Sequence, residues 1–286
     1  MGIFNNLFDI DSRDNYAITG LNKELNSLYI YNYFIKNKKN NLVITNSLYE
    51  ANDIYNRLLN YTDKVLFFPM DDFITSEVTD ISPEFVIDRL TTLNKLLGSG
   101  KYIVVTNLMG ILRYLPSTKL YKNKIIDINK DMDIDRDDFI NKLFDLGYEK
   151  VPVVSRTGEM AIRGYVIDIF PIEFDNPIRI EFWGDTIDSI KYFDLEDQIS
   201  NTSIDSVKIY PYTEFLIDGK IEDNITRKQK YLLNYSDSVS GLWDYVSDSV
   251  IFYYDYNQII NSYSLLRENI LEYDSELDDD IKTNYM

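Results

Sequence analysis

The 286-residue chain contains no cysteine and no histidine. Without cysteine there is no disulfide framework and no thiol nucleophile. Without either residue, Cys/His zinc centres and Ser-His-Asp triads are excluded. Chemistry would have to rest on carboxylates, Lys, Arg, Tyr or Ser, and 47 Asp and Glu residues are too many for one catalytic pair to stand out. No metal and no cofactor is expected. Positive charge is also short: 29 Lys and Arg leave a net charge of −18. A nucleic-acid binder carries a basic patch or stripe, so direct nucleic-acid binding is not expected. Such a charge keeps a protein dispersed, and it also suits a basic partner surface. No apolar run approaches the roughly 20 residues of a membrane span. The start, Met1 to Asn6, lacks the basic, apolar and small-residue features of an export signal. The expected location is the cytoplasm.

What is present is a folding composition. Hydrophobic residues make up 45% and aromatics 14% of the chain, enough for a real core, and the length allows about two domains. In the first third, short apolar runs alternate with amphipathic stretches. Strands are expected at Asn41–Thr45, Lys64–Phe68 and Lys101–Thr106. Between them, Ser47 with Glu50 has the spacing of a capping box for a helix to Leu59. Ser82-Pro83 opens a second helix, with Ser as N-cap and Pro at the first helical position. Apolar strands joined by helices imply a parallel α/β sheet, in an order resembling part of a RecA-like domain. Residues 1–126 are read as the first part of that domain.

From residue 127 to 212 the pattern changes to one helix, Asp135–Leu146, and closely spaced strands. These are expected at Val151–Ser155, Glu159–Ile162, Tyr165–Phe170, Pro177–Trp183, Ile187–Phe193 and Ser206–Tyr210. This is a small α+β domain with a mostly antiparallel sheet, inserted into the first. Residues 213–286 are read as a return segment completing the first domain. They are acidic, with 15 Asp and Glu against 6 Lys and Arg, and partly helical. The strand-like run Val250–Asp255 would fit a return to the first sheet.

A RecA-like domain carries a phosphate loop, G-x-x-x-x-G-K-[ST], whose glycine lets the backbone approach phosphate and whose lysine meets it. The corresponding stretch here runs from Gly20 to Ser27. Its first Gly and final Ser are present, but Leu25 replaces the second Gly and Asn26 replaces the Lys. Either Gly20 is an ordinary turn glycine, or a phosphate loop has degenerated on a retained fold. Neither reading hydrolyses ATP, so no catalytic site is expected in this chain.

The densest signal lies between Val154 and Ser200. It contains Arg156-Thr-Gly-Glu159, then Arg163-Gly-Tyr-Val-Ile-Asp168-Ile-Phe-Pro171, then Pro177-Ile-Arg179-Ile-Glu-Phe-Trp183-Gly-Asp185. Side chains on a strand alternate between faces. Ile178, Ile180 and Phe182 therefore share a core face, and Arg179, Glu181 and Trp183 the other. A Trp beside an Arg on an outward face has the character of a binding hot spot. The alternative is Trp183 packed under a loop of its own domain, with Arg179 paired to Glu181. Alternation does not expose Arg163 cleanly, although Gly164 allows a bulge or turn that re-aims it.

These residues resemble the UvrB-interaction domain shared by UvrB and the transcription-repair coupling factors. The match covers nearly every motif position, with Met160 in place of an aromatic and Trp183 in place of a Phe. Phe68-Pro69, Ser82-Pro83, Arg89-Leu90 and the stretch from Pro211 to Phe215 resemble the same family's first domain and return segment. The intact phosphate loop and aromatic hairpin of UvrB are not found, which favours the coupling factors. The resemblance implies a non-catalytic adaptor module that docks UvrA in transcription-coupled nucleotide excision repair, through Arg163, Arg179 and Trp183. It also implies a longer parent that meets RNA polymerase and double-stranded DNA through a translocase and other domains absent here. Two alternatives stand beside it: a UvrB-like ATPase or DNA-binding component of excision repair, and an autoinhibitory module of a DNA translocase.

Overall fold

A computed structural model describes residues 17–71, 82–218 and 232–276; the sequence readings for the extreme N-terminus and the last ten residues fall outside them. The described chain opens with α1 (Lys23–Asn37), β1 (Asn40–Thr45), α2 (Leu48–Leu59), β2 (Val65–Phe68), α3 (Pro83–Leu96), β3 (Ile103–Asn107) and α4 (Leu108–Leu112). It continues through β4 (Leu115–Pro116), α5 (Thr118–Lys124), β5 (Ile126–Asn129), α6 (Arg136–Asp145), β6 (Glu149–Lys150), β7 (Glu159–Arg163), β8 (Val166–Ile169), β9 (Ile178–Trp183), β10 (Thr186–Phe193), β11 (Ser200–Ile204) and β12 (Ser206–Ile209). The last elements are α7 (Leu232–Tyr235), β13 (Val239–Ser240), α8 (Leu242–Tyr245), β14 (Ser249–Tyr253) and α9 (Tyr256–Glu276). Two compact units result, Met1–Tyr114 with Ser240–Met286, and Leu115–Val239.

The first unit holds a parallel sheet in the order β14-β1-β3-β2. β1, β2 and β3 are buried at every residue, which is why they read as unbroken apolar runs rather than alternating ones. On one face Ile30 and Phe34 of α1 and Ala51, Ile54 and Leu58 of α2 pack on Val43, Val65, Phe67, Ile103 and Val105. Ser47 and Glu50 form the expected capping box at the start of α2. Ser82 stands at the N-cap of α3 but makes no side-chain cap hydrogen bond; Pro83 sets the first turn instead. β14 pairs with β1 over Ser249–Tyr253, and the amide of Tyr254 donates to Ile44.

The second unit is built on a six-stranded sheet, β11-β10-β9-β8-β7-β6, antiparallel except for the short β6–β7 pair. Phe139, Leu143 and Leu146, on and just after α6, pack on its inner face against Met160, Ile167, Ile169, Ile178, Ile180 and Phe182. Asp135 caps α6 by accepting from the Asp138 amide.

The strand expected at Val151–Ser155 does not form. The Val151 amide still donates to the Met160 carbonyl, but Pro152 lacks an amide donor and the Glu159 carboxylate captures the amides of Ser155 and Arg156, so the pairing does not continue along the segment. β11 has no counterpart in the sequence reading. Its residues, Ser-Asn-Thr-Ser-Ile, show no apolar alternation and none is buried.

Candidate functional site

The outer face of the second unit's sheet is assembled by two hairpins side by side. β7 and β8 are joined by Gly164-Tyr165, and β9 and β10 by Gly184-Asp185. Gly164 has φ +58° while Tyr165 does not enter the positive-φ region, the pattern of a type II′ turn, whose twist suits a hairpin. Across the strands Arg163 pairs with Val166, Val166 with Glu181, and Asp168 with both Ala161 and Arg179. Arg163, Asp168, Arg179, Glu181 and Trp183 therefore share one face, while Ile178, Ile180 and Phe182 enter the core as alternation requires.

Asp168 organises this face. It is completely buried (0% exposed) and holds two arginines. Arg179 approaches it bidentately, Nε at 2.7 Å from Oδ1 and Nη2 at 3.0 Å from Oδ2. Arg163 Nη2 lies 2.6 Å from Oδ2. Arg179 also donates from Nη1 to the Gln198 carbonyl at 3.1 Å and to Ser200 Oγ at 3.4 Å. Its guanidinium lies 4.7 Å from the centroid of the Phe193 ring, a cation–π distance. Hydrogen bonding to Asp168 raises the Arg179 pKa above its ordinary value, against the opposing effect of desolvation.

The two arginines thus differ in what remains free. The Arg179 side chain is 17% exposed and fixes β8, β9 and the approach to β11 together, whereas that of Arg163 is 48% exposed. Glu181 does not pair with Arg179. Lys191 Nζ, 2.7 Å away, takes it together with the Ser189 hydroxyl, and these hydrogen bonds hold its carboxyl below the usual range. Trp183, next on the same face, is 83% exposed. It is not packed under a loop.

Part of the motif serves the loop before β7. Glu159 is buried and accepts from the Ser155 amide (2.8 Å) and hydroxyl (2.9 Å), the Arg156 amide (3.1 Å) and Arg156 Nε (3.0 Å). Burial alone would raise its pKa, but the bonds from Ser155 and Arg156 outweigh this and lower it. A Cβ on Gly158 would lie 2.0 Å from the Tyr212 ring, so only glycine lets that ring close over the loop.

The other sequence-singled residues, Gly20 to Ser27, lie in the first unit. Gly20 has φ +83° and precedes Asn22, the N-cap of α1, whose side chain accepts from the Leu25 amide at 2.9 Å. Leu25 and Asn26 fall within α1, and Ser27 is buried with its hydroxyl directed at the Lys23 carbonyl. Lys23 is committed to Asp53 at 3.1 Å, and Arg57 to both Asp53 and Glu24.

Sequence reasoning reached Arg163, Arg179 and Trp183 but gave Asp168 no role. The available signal was a carboxylate between Ile167 and Ile169 in an apolar strand, one strand away from an arginine, because a buried charge needs a partner. Tyr165, 65% exposed at the turn, was also passed over.

Residues 126–215, within the second unit, match the family model described as UvrB interaction domain. Over a longer stretch the chain is homologous to transcription-repair-coupling factors. It is 34% identical over 229 residues to that of Staphylococcus haemolyticus, which spans 79% of this chain and 20% of the relative. The factor of Staphylococcus epidermidis is 32% identical over 235 residues, covering 82% of this chain and 20% of the relative. That of Staphylococcus aureus is 32% identical over 229 residues, covering 79% and 20% respectively. The chain spans about a fifth of the length of the curated relatives it matches. Among the described residues no helix is long and apolar enough to cross a membrane.

Proposed function

We propose that this chain is a non-catalytic docking module of a transcription-repair coupling factor, and that it recruits UvrA for nucleotide excision repair in the cytoplasm. The observation that carries the reading is Trp183. A large aromatic, 83% exposed, stands beside a half-exposed arginine on the outer face of a UvrB interaction domain. Burying such a ring against a partner removes apolar area from water and contributes more than any exposed charge pair, worth about 0–1 kcal/mol. Arg163 supplies a directional donor at the rim. Arg179 acts mainly by holding the face in shape through Asp168.

On this reading the first unit is a RecA-like domain that has lost its phosphate loop. Its parallel sheet with α1 and α2 on one face supports that assignment. Asn22 spends its side chain capping α1, Leu25 leaves no glycine for close approach, and Lys23 is paired with Asp53, so no lysine is offered to a phosphate. RNA polymerase and double-stranded DNA belong to other parts of a longer parent.

The experiment is a calorimetric titration with UvrA of the wild-type chain, Trp183→Ala and Arg179→Ala, each checked for folding by circular dichroism. Wild-type binding that falls in folded Trp183→Ala protein supports the assignment. Equal binding by all three moves the site, and no wild-type binding removes the function.

A further inference from the structure

The docking reading leaves unused an exposed aromatic on the hairpin next to that of Trp183. Tyr165 occupies the second position of the β7–β8 turn. It belongs to no part of the hydrophobic core and is 65% exposed. Nothing in the turn demands it, because the positive φ falls on Gly164, and the following position favours small polar residues as readily. The turn is nevertheless held firmly. The Tyr165 carbonyl accepts from the Phe182 amide at 2.8 Å, tying this tip to β9 one residue before Trp183. Arg136, at the start of α6, donates to the Gly164 carbonyl. Two large aromatics thus sit on adjacent, backbone-fastened hairpin ends, with Arg163 at the end of β7 immediately before the first turn. Scattered single aromatics need no explanation. Two on neighbouring rigid tips beside an arginine have the composition of an interface centre, with little conformational entropy left to lose on binding.

We infer that Tyr165 is a second contact residue, and that the docking surface is a two-aromatic grip, Tyr165 and Trp183, with Arg163 beside them. The inference rests on the docking reading and deepens it. The partner surface must offer two apolar recesses beside a carboxylate or carbonyl that can share the Arg163 guanidinium with Asp168. A purely acidic patch would not fit.

The test is titration of UvrA against the full chain carrying Tyr165→Ala, Tyr165→Phe, Trp183→Ala or Tyr49→Ala. Tyr49 is an exposed aromatic of the other unit. Tyr165→Ala should weaken binding by about tenfold or more, with an unchanged melting temperature. Tyr165→Phe should restore most of the affinity, and Tyr49→Ala should bind as wild type. Loss of binding in Trp183→Ala with full affinity in Tyr165→Ala would overturn this inference and leave the docking reading standing. Absence of wild-type binding would remove both. Equal weakening by Tyr49→Ala would reduce the effect to general stickiness and overturn the grip. A Tyr165→Ala protein with unchanged UvrA affinity but reduced affinity for a single-stranded oligonucleotide would assign the tip to nucleic acid, against the proposal.

Discussion

The two units handle polar residues in opposite ways. In the first, the polar groups near the start of α1 are consumed locally: Asn22 caps the helix, Lys23 meets Asp53, and Glu24 meets Arg57. In the second, the buried carboxylate of Asp168 gathers two arginines and holds them at the sheet's outer face. Both regions are rich in charge and both leave an aromatic in solvent beside it, Tyr49 against Lys23 in the first and Trp183 next to the arginines in the second; only the second gathers its charges on a buried carboxylate. A motif in sequence marks either kind of place; what separates them is whether the interactions close on themselves or leave a surface to be completed.

That comparison can be broken most decisively at Asp168. Asp168→Ala leaves Arg179 partly buried without its anion, and breaking a buried pair in this way costs about 3–5 kcal/mol. Urea denaturation should show that loss, concentrated in the second unit. A variant as stable as wild type would mean the arginines need no organiser.

A comparable effect is expected in binding at Trp183. Trp183→Ala should weaken UvrA binding by about 2 kcal/mol, roughly thirtyfold, while changing stability by no more than about 0.5 kcal/mol, as expected for an exposed substitution. An opposite split, with stability lost and binding kept, would return Trp183 to a structural role.

Glu159 sharpens the contrast through pH. Its folded pKa lies below the ordinary 4.5 of a glutamate. The stability it contributes is therefore fully present above that value and is lost as pH falls through the folded pKa. Thermal melting followed from pH 6 to pH 3 should show a fall for the wild type that is shallower in Glu159→Gln. The variant should also be less stable near neutral pH, by about 2 kcal/mol, because charge-assisted hydrogen bonds are weakened.

The smallest effect belongs to the first unit. Asn22→Ala removes an N-cap and should cost about 1 kcal/mol of stability, with UvrA affinity unchanged. A loss of affinity there would show that the region around Gly20 to Ser27 takes part in docking after all.

Much of the fold was legible along the chain because it is written in short-range periodicity. Unbroken apolar runs at β1, β2 and β3 announced strands covered on both faces, and Ser47 with Glu50 announced the start of α2. Period-two alternation from Ile178 to Trp183 assigned each side chain its face. The strand misplaced at Val151–Ser155 and the unnoticed β11 share a cause. In both, the backbone's pairing is set by a nearby side chain or by the preceding strand, and neither leaves a periodic pattern in the segment itself. The amides of Ser155 and Arg156 are taken by Glu159, and β11 is a strand only because β10 lies beside it.

By itself the sequence determined which Cys- and His-based chemistry this protein lacks, the two kinds of sheet it builds and the sheet face that carries Trp183, since composition and alternation are properties of neighbouring residues. Only the tertiary structure decided that Arg179 is spent on Asp168 rather than Glu181, that Arg163 stays half free, and that Tyr165 and Trp183 stand on adjacent tips. Those outcomes depend on strand register, which brings together residues 5 to 21 positions apart. They also depend on burial, which obliges a carboxylate shut away from water to find its cations inside the fold.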